Sequence, residues 1–171
     1  MTSPAVYLRR AEASDLNAIL SLERATEYAP HWSPAVYAEI LAVPVGAATE
    51  RCLFVAQNAS QTDAALVGFA VGWVHPATDS VDRDGSERFA ELESVAVADN
   101  ARRRGIGRAL CRAVFDWCRL QGANEIVLEV RAGSEDAVAL YASLGFVQTG
   151  GRPRYYRDPD DDALLLRLRL Q

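Results

Sequence analysis

At 171 residues the chain has the length of one ordinary domain, enough to bury a sizeable core. Hydrophobic residues make up 50% of it and charged residues 24%, the composition of a soluble globular protein, and a net charge of −5 argues against general nucleic-acid binding. MTSPAVYLRRAEASD at the N-terminus lacks the apolar core of a signal peptide, and no run reaches membrane-spanning length. The three cysteines, Cys52, Cys111 and Cys118, fit neither a disulfide framework nor a zinc pattern, which predicts a cytoplasmic protein with reduced thiols and no metal.

In chain order, Ala5–Arg10 reads as a first strand. Ser14 is placed to cap a helix over Asp15–Tyr28, whose approximate stripe is Leu16, Ile19, Leu20 and Leu22 or Glu23. Pro30-His31-Trp32 breaks it. Ser33-Pro34 restarts a helix, hydroxyl as cap and proline at the first helical position, ending near Pro44. Cys52–Gln57 and Leu66–His75 read as a hairpin across the polar turn Asn58–Asp63, and Pro76–Arg88, rich in Asp and Gly, reads as loop.

Glu91–Arg108 organises the second half of the chain. Leu92, Ser94 and Ala96 alternate with Glu91, Glu93, Val95 and Val97, the period of a strand with two distinct faces. Asp99-Asn100 ends it, and Arg102-Arg103-Arg104-Gly105-Ile106-Gly107-Arg108 leads into a helical pattern. Strand, glycine turn and helix start in that order place backbone N–H groups at a positive helix end, where a Cβ would hold a phosphate away. Four arginines against Asp99 give this stretch a local charge of +3 inside an acidic chain, the inversion a polyphosphate needs. The competing reading is a solvated arginine turn. Ile106, Leu110, Val114 and Trp117 then form the stripe of a helix running to Gln121 and closed by Gly122, with Cys111 and Cys118 as small core residues on it. Glu125–Arg131 reads as a strand. Ser134 caps a helix through Leu144 with Glu135 and Asp136 in its first turn, and Phe146–Tyr156 and Ala163–Leu170 are strands around the acidic turn Arg157–Asp162. No repeat or linker interrupts residues 1–171, so the chain is read as one α+β domain. Its units 91–121 and 125–144 lie parallel through a right-handed crossover.

Arg102-x-x-Gly105-x-Gly107 after Val95-Ala96-Val97, followed by Ala137-x-x-Leu140-Tyr141-x-x-x-Gly145-Phe146, resembles the GNAT acetyltransferases over nearly the whole chain. A dinucleotide-binding G-x-G-x-x-G with its acidic partner is missing. Leu128-Glu129-Val130-Arg131 and Arg154-Tyr155-Tyr156 before an acidic turn resemble the ribosomal-protein-alanine N-acetyltransferase (RimI) branch, as Pro30-His31-Trp32-Ser33 does more weakly. The resemblance implies a mixed, mostly antiparallel sheet of about seven strands, a parallel pair at the cofactor cleft, and four helices packed on both faces. It implies acetyl-CoA as donor, without a metal, its pantetheine pairing with the main chain of Val95, Ala96 and Val97 like another strand. The pyrophosphate then lies on the amides of Arg103, Arg104, Gly105, Ile106, Gly107 and Arg108, behind Arg102, which opens the motif; the side chains of Arg103 and Arg104 either touch phosphate or are solvated. Ser134 stands where RimI-type sequences carry an Asn, and reaches less far toward pantetheine.

The implied chemistry is attack of a neutral amine on the thioester, with protonation of the departing thiolate. An α-amine, with a reference pKa of about 8 against about 10.4 for lysine, needs only a modest base. Glu129 matches the RimI-type base and Glu91 the position used by the histone-acetylating branch, while Glu93 shares a strand face with Glu91; each is otherwise a solvated strand-end acid. Tyr141 matches the general acid, and is otherwise an aromatic packing its helix on the sheet. His31 and His75 are given no role. The expected acceptor is a protein N-terminus, that of a ribosomal protein in the RimI case, with no nucleic acid or membrane involved. The rivals are a lysine or small amine, for which the 76–88 loop would shape the pocket, and a non-catalytic acyl-CoA-binding module. Asp158 and Asp160–Asp162 either attract a basic peptide or solvate a turn.

Overall fold

Alternating burial along the strands brings seven of them into one sheet, order β1-β2-β3-β4-β5-β7-β6, in a computed structural model that describes residues 5–43, 50–59, 65–75 and 88–170. The strands are β1 Val6–Arg10, β2 Arg51–Asn58, β3 Leu66–Val74, β4 Arg88–Val97, β5 Ala123–Arg131, β6 Val147–Arg157 and β7 Asp160–Arg169. Among the described residues the α-helices are α1 Leu16–Ala25, α2 Pro34–Ala42, α3 Ile106–Leu120 and α4 Glu135–Ser143. Among the described residues only β4 and β5 pair parallel, and every other neighbour is antiparallel. This is the α+β architecture the sequence predicts. One face packs Leu53, Val55, Phe69, Val71 and Ala96 under α1 and α2. The other packs Ala70, Leu92, Ile126, Leu128 and Leu166 under α3 and α4.

Cys111 and Cys118 belong to this second core, with Cys52 beneath them, and all three thiols are free and buried. Burial pushes Cys111 and Cys118 up to about 12, so both stay neutral and serve as small apolar groups. Gly122 follows α3 at a φ of 84°, as its place after the helix predicts.

Several boundaries move. A 3₁₀ turn over Ala13–Asp15 precedes α1, so Ser14 lies inside that turn and does not cap the helix. Asp15 does the tying instead. Its carboxylate accepts from the Glu12 amide (2.8 Å) and from both Arg9 Nη atoms (2.6 and 2.8 Å), joining β1 to α1. α1 stops at Ala25 rather than Tyr28, where Thr26 turns extended and its hydroxyl donates back to the Leu22 carbonyl (2.9 Å). Ser33 and Pro34 do start α2, although the serine hydroxyl makes no cap bond, and Pro44 lies outside the described residues. The β2–β3 hairpin is closed by the Asn58 amide on the Ala65 carbonyl (3.1 Å); positions 60–64 and 76–87 lie outside the described residues. The acidic turn is shorter than expected, with only Asp158-Pro159 between the two strands. β7 already begins at Asp160, with Tyr156 opposite Asp161 and Arg157 opposite Asp160. The pairing slips between Arg152 and Tyr156, where Arg154 takes a φ of 49° and gives its amide to Asp162 Oδ1 (2.8 Å).

Arg9, chiefly through its hydrogen bonds, holds the Asp15 carboxyl below its ordinary value. A depressed folded-state pKa stabilises the fold above the unfolded value near 3.9 and loses that contribution as pH falls through the folded value. Asp15→Asn is therefore expected to cost about 1–3 kcal/mol at pH 7, read from urea denaturation, and the gap from wild type should close only below about pH 4. An equal gap at pH 7 and pH 3 would show that the charge of Asp15 contributes nothing.

Candidate active site

β4 and β5 start together and part. Their ladder runs only from Arg88 to Glu91 on β4, against Ala123 to Val127 on β5. Beyond Glu91, β4 is paired with β3 alone, and beyond Val127, β5 is paired with β7 alone. The parting coincides with a bulge. Ser94 pairs with Val71 and Leu92 with Gly72, leaving Glu93 as an extra residue. A bulge reverses which face each later residue uses. Ala90 and Leu92 belong to the core under α3, but Ala96 belongs to the core under α1 and α2, while Val95 and Val97 pack on the α3 side. Leu92, Ser94 and Ala96, one face by simple alternation, are thus divided between two. The open edge of Glu93–Val97 is left with main-chain groups directed into a widening gap.

The arginine-glycine turn stands at the end of that gap. After β4 a 3₁₀ turn over Asp99–Ala101 leads to Arg103 at a φ of 60° and Gly105 at 78°, and α3 begins at Ile106. A Cβ on Gly105 would meet nothing within 4 Å, so the glycine is demanded by its left-handed backbone and leaves open space above the turn. Gly107 is different: a Cβ there would press on Leu140 Cδ2 at 3.2 Å, so this glycine lets α4 lie against the start of α3. The first bond inside α3 runs from the Ala109 amide to the Gly105 carbonyl (3.0 Å), leaving the amides of Ile106, Gly107 and Arg108 without acceptors within the helix. Three arginine side chains brace the turn. Arg102 pairs with Asp99 (2.9 Å), Arg103 with Asp136 of α4 (3.2 Å), and Arg108 donates to the Ser143 hydroxyl (2.8 Å). Ser134 occupies the N-cap of α4, but its hydroxyl makes no cap bond.

The carboxylates gather on the α1–α2 side of the gap. Glu91 sits at its vertex, opposite Val127, with Oε2 3.4 Å from His75 Nε2. Glu93, at the bulge, is held by two bonds from Arg51 (2.9 and 3.0 Å), and Glu129 pairs with Arg152 of β6 (3.1 Å). Asp161 and Asp162 accept from the amides of Gly133 and Arg154. The charge of Glu91, Glu93 and Glu129 is therefore largely compensated. His75 and Arg152, unassigned in the sequence, are part of it, brought there by pairings across three strands. His75 also stacks on Trp73 (3.7 Å) and Phe89 (4.1 Å).

Tyr141 lies on the opposite side of the sheet, in the core under α3 and α4, its ring edge-on to Phe146 at 5.7 Å. Burial, then Cys111 and Tyr156, push its phenol well above the ordinary tyrosine value. Tyr156 is raised too, by burial and then by Glu129. Among the described residues no hydrogen bond joins Glu129 to Tyr141; Tyr156 is the group that senses both. The only sequence signal for Tyr156 is its place in Arg154-Tyr155-Tyr156. Among the described residues, no group of three or more His, Cys, Asp or Glu is arranged to hold a metal.

The single parallel pair matches the fold expected from the two motifs, and the acetyltransferase (GNAT) family model matches residues 16–146. The chain belongs to the GNAT family. The [ribosomal protein bS18]-alanine N-acetyltransferase of Escherichia coli K12 is 40% identical over 81 residues, 46% of this chain and 55% of that protein, so the match spans about half of that relative's length. The crystal structure of the ribosomal-protein-S18-alanine N-acetyltransferase from Escherichia coli superposes with a TM-score of 0.75 at 27% identity, covering 98% of this chain and 95% of that one. The structure of Arabidopsis thaliana NAA60 in complex with acetyl-CoA reaches a TM-score of 0.81 at 16% identity over 97% and 99% of the two chains, a likeness of GNAT fold.

Gly105→Val should raise the Kd for CoA at least about tenfold, on the order of 1.4 kcal/mol, because a branched side chain cannot adopt a φ of 78° without strain and would fill the space above the turn. Calorimetric titration checks this, and wild-type affinity in the variant would remove the anion from the turn.

Proposed function

We propose that this GNAT chain transfers the acetyl group of acetyl-CoA to the α-amine of a protein N-terminus, by direct attack and without a covalent enzyme intermediate. The observation that carries the reading is the gap between β4 and β5, with an anion turn at its end, carboxylates on one side of the sheet and a protonated phenol on the other. Relatives named as a [ribosomal protein bS18]-alanine N-acetyltransferase and as an N-alpha-acetyltransferase support the acceptor class. Pantetheine lies along the open edge of Val95, Ala96 and Val97 as an added strand, and the pyrophosphate lies on the amides of the 103–108 turn.

Glu129, directly or through a water, receives the amine proton as nitrogen attacks the thioester carbon. When the tetrahedral intermediate collapses, the C–S bond breaks and Tyr141 protonates the leaving sulfur. Glu129 is favoured over Glu93, whose two oxygens are both engaged by Arg51. Glu91, at the vertex with His75, is the other carboxylate within the same opening. A tyrosine with a raised pKa remains a proton donor through the neutral range, which suits a general acid and gives no loss of rate from its ionisation below about pH 10. A basic N-terminal peptide beginning Ala-Arg, as in a ribosomal protein substrate, is the acceptor to try first.

Tyr141→Phe retains the ring that packs on Phe146 and removes the donor, so turnover should fall at least about a hundredfold with CoA affinity unchanged. Glu129→Gln should lower the rate most at low pH and recover in part as pH rises through the α-amine pKa near 8. Thiol release from acetyl-CoA across N-terminal peptides, lysine peptides and small amines decides the acceptor. Preference for lysine overturns the N-terminal reading, and no release with any amine leaves an acyl-CoA-binding module. A silent Glu129→Gln beside a damaging Glu91→Gln would move the base to β4.

A further inference from the structure

Arg131 closes β5 on the Glu129 face, and three separate pieces of chain meet at its guanidinium. The group lies 4.1 Å from the ring centre of Tyr156 on β6 and 5.1 Å from that of Tyr28, in the connection between α1 and α2. Its two terminal nitrogens donate to the Pro159 carbonyl (2.9 Å) and the Asp158 carbonyl (3.2 Å) in the β6–β7 turn. Both of the pieces it joins are anchored at a second point. Behind Tyr28, the carboxylate of Glu23, only 2% exposed, accepts from the Trp32 amide (2.9 Å) and the Tyr37 hydroxyl (3.1 Å). Beyond Pro159, Asp161 accepts from the Gly133 amide (3.0 Å).

We propose that Arg131 is a positioning residue that fixes the α1–α2 connection against the β6–β7 turn, and so sets the affinity for the acceptor while leaving the acetyl donor and the chemical step alone. The assignment rests on the N-terminal acetyltransferase function proposed for this chain, because it takes the acceptor to enter on the Glu129 face, between the two pieces that Arg131 joins. The residue type follows from the geometry. A planar guanidinium can face an aromatic ring while its in-plane N–H groups reach two carbonyls, and a lysine ammonium can replace only one of these contacts well. The acceptor lies across this junction, whereas the turn proposed for CoA lies at the end of β4, on another part of the gap.

The test combines Arg131→Met, Arg131→Lys, Tyr28→Ala and the double variant Arg131→Met with Tyr28→Ala. Arg131→Met is expected to raise the KM for an N-terminal peptide about tenfold, with kcat and the KM for acetyl-CoA within about twofold of wild type. Lysine should recover less than half of the loss, and the double variant should be little worse than either single one, since both remove the same junction. In amide hydrogen exchange, residues 26–33 and 156–161 should open faster together in Arg131→Met, while α3 keeps its protection. Additive effects of the two variants, a fall in kcat with the peptide KM unchanged, or faster exchange in only one of the two segments would overturn the proposal. If the wild type acetylates no α-amine, the functional reading fails by that result alone, and the exchange experiment still decides whether Arg131 holds the two segments together.

Discussion

The extra residue at Glu93 is the constraint on which the rest of the site depends. Without it, β4 would keep one face toward α3 along its whole length and could continue its ladder with β5. With it, the strand turns over in mid-course, the two parallel strands separate after Glu91, and a main-chain edge is left open in the centre of the sheet. An open edge is normally a liability in a β-protein. Here it lies between strands rather than at the rim of the sheet. The cores on the two faces remain continuous across the change because Val95 and Val97 join the cluster under α3 as Ala96 joins the one under α1 and α2.

Electrostatics divides labour between the two ends of the gap. At the turn, Arg102, Arg103 and Arg108 are tied to Asp99, Asp136 and Ser143, and their charge adds to the positive end of the helix. On the α1–α2 face the carboxylates are likewise held, by Arg51, Arg152 and His75. Fixed pairs of this kind contribute little to stability where they are half exposed, but they orient the oxygens that remain free. On the other side of the sheet, burial disfavours the anion of the Tyr141 phenol.

Much of this was legible in the sequence. The order of elements, the single parallel pair, the arginine-glycine turn before a helix and the Leu140-Tyr141 helix are all local patterns, set by spacing within one or two elements. Gly105 was readable because its backbone conformation excludes other residues, and Cys111 and Cys118 because seven residues return to the same helix face. Even the limits of the strands were wrong by only a few residues, except at Asp160–Asp162, where an acidic run that looks like solvent-facing turn belongs to a strand because two of its carboxylates are taken by backbone amides.

The tertiary structure alone decided which groups face one another across the gap. A bulge leaves no mark on an alternating pattern, so the division of Leu92 from Ala96 could not be read from Glu91–Val97. The pairing of Glu129 with Arg152 depends on β7 lying between β5 and β6, and that of Glu93 with Arg51 on the register of β2 and β3. The junction at Arg131 draws on residues more than a hundred positions apart. Local propensity fixes elements one at a time, whereas these contacts arise from the order and register in which the elements pack, a property of the whole chain.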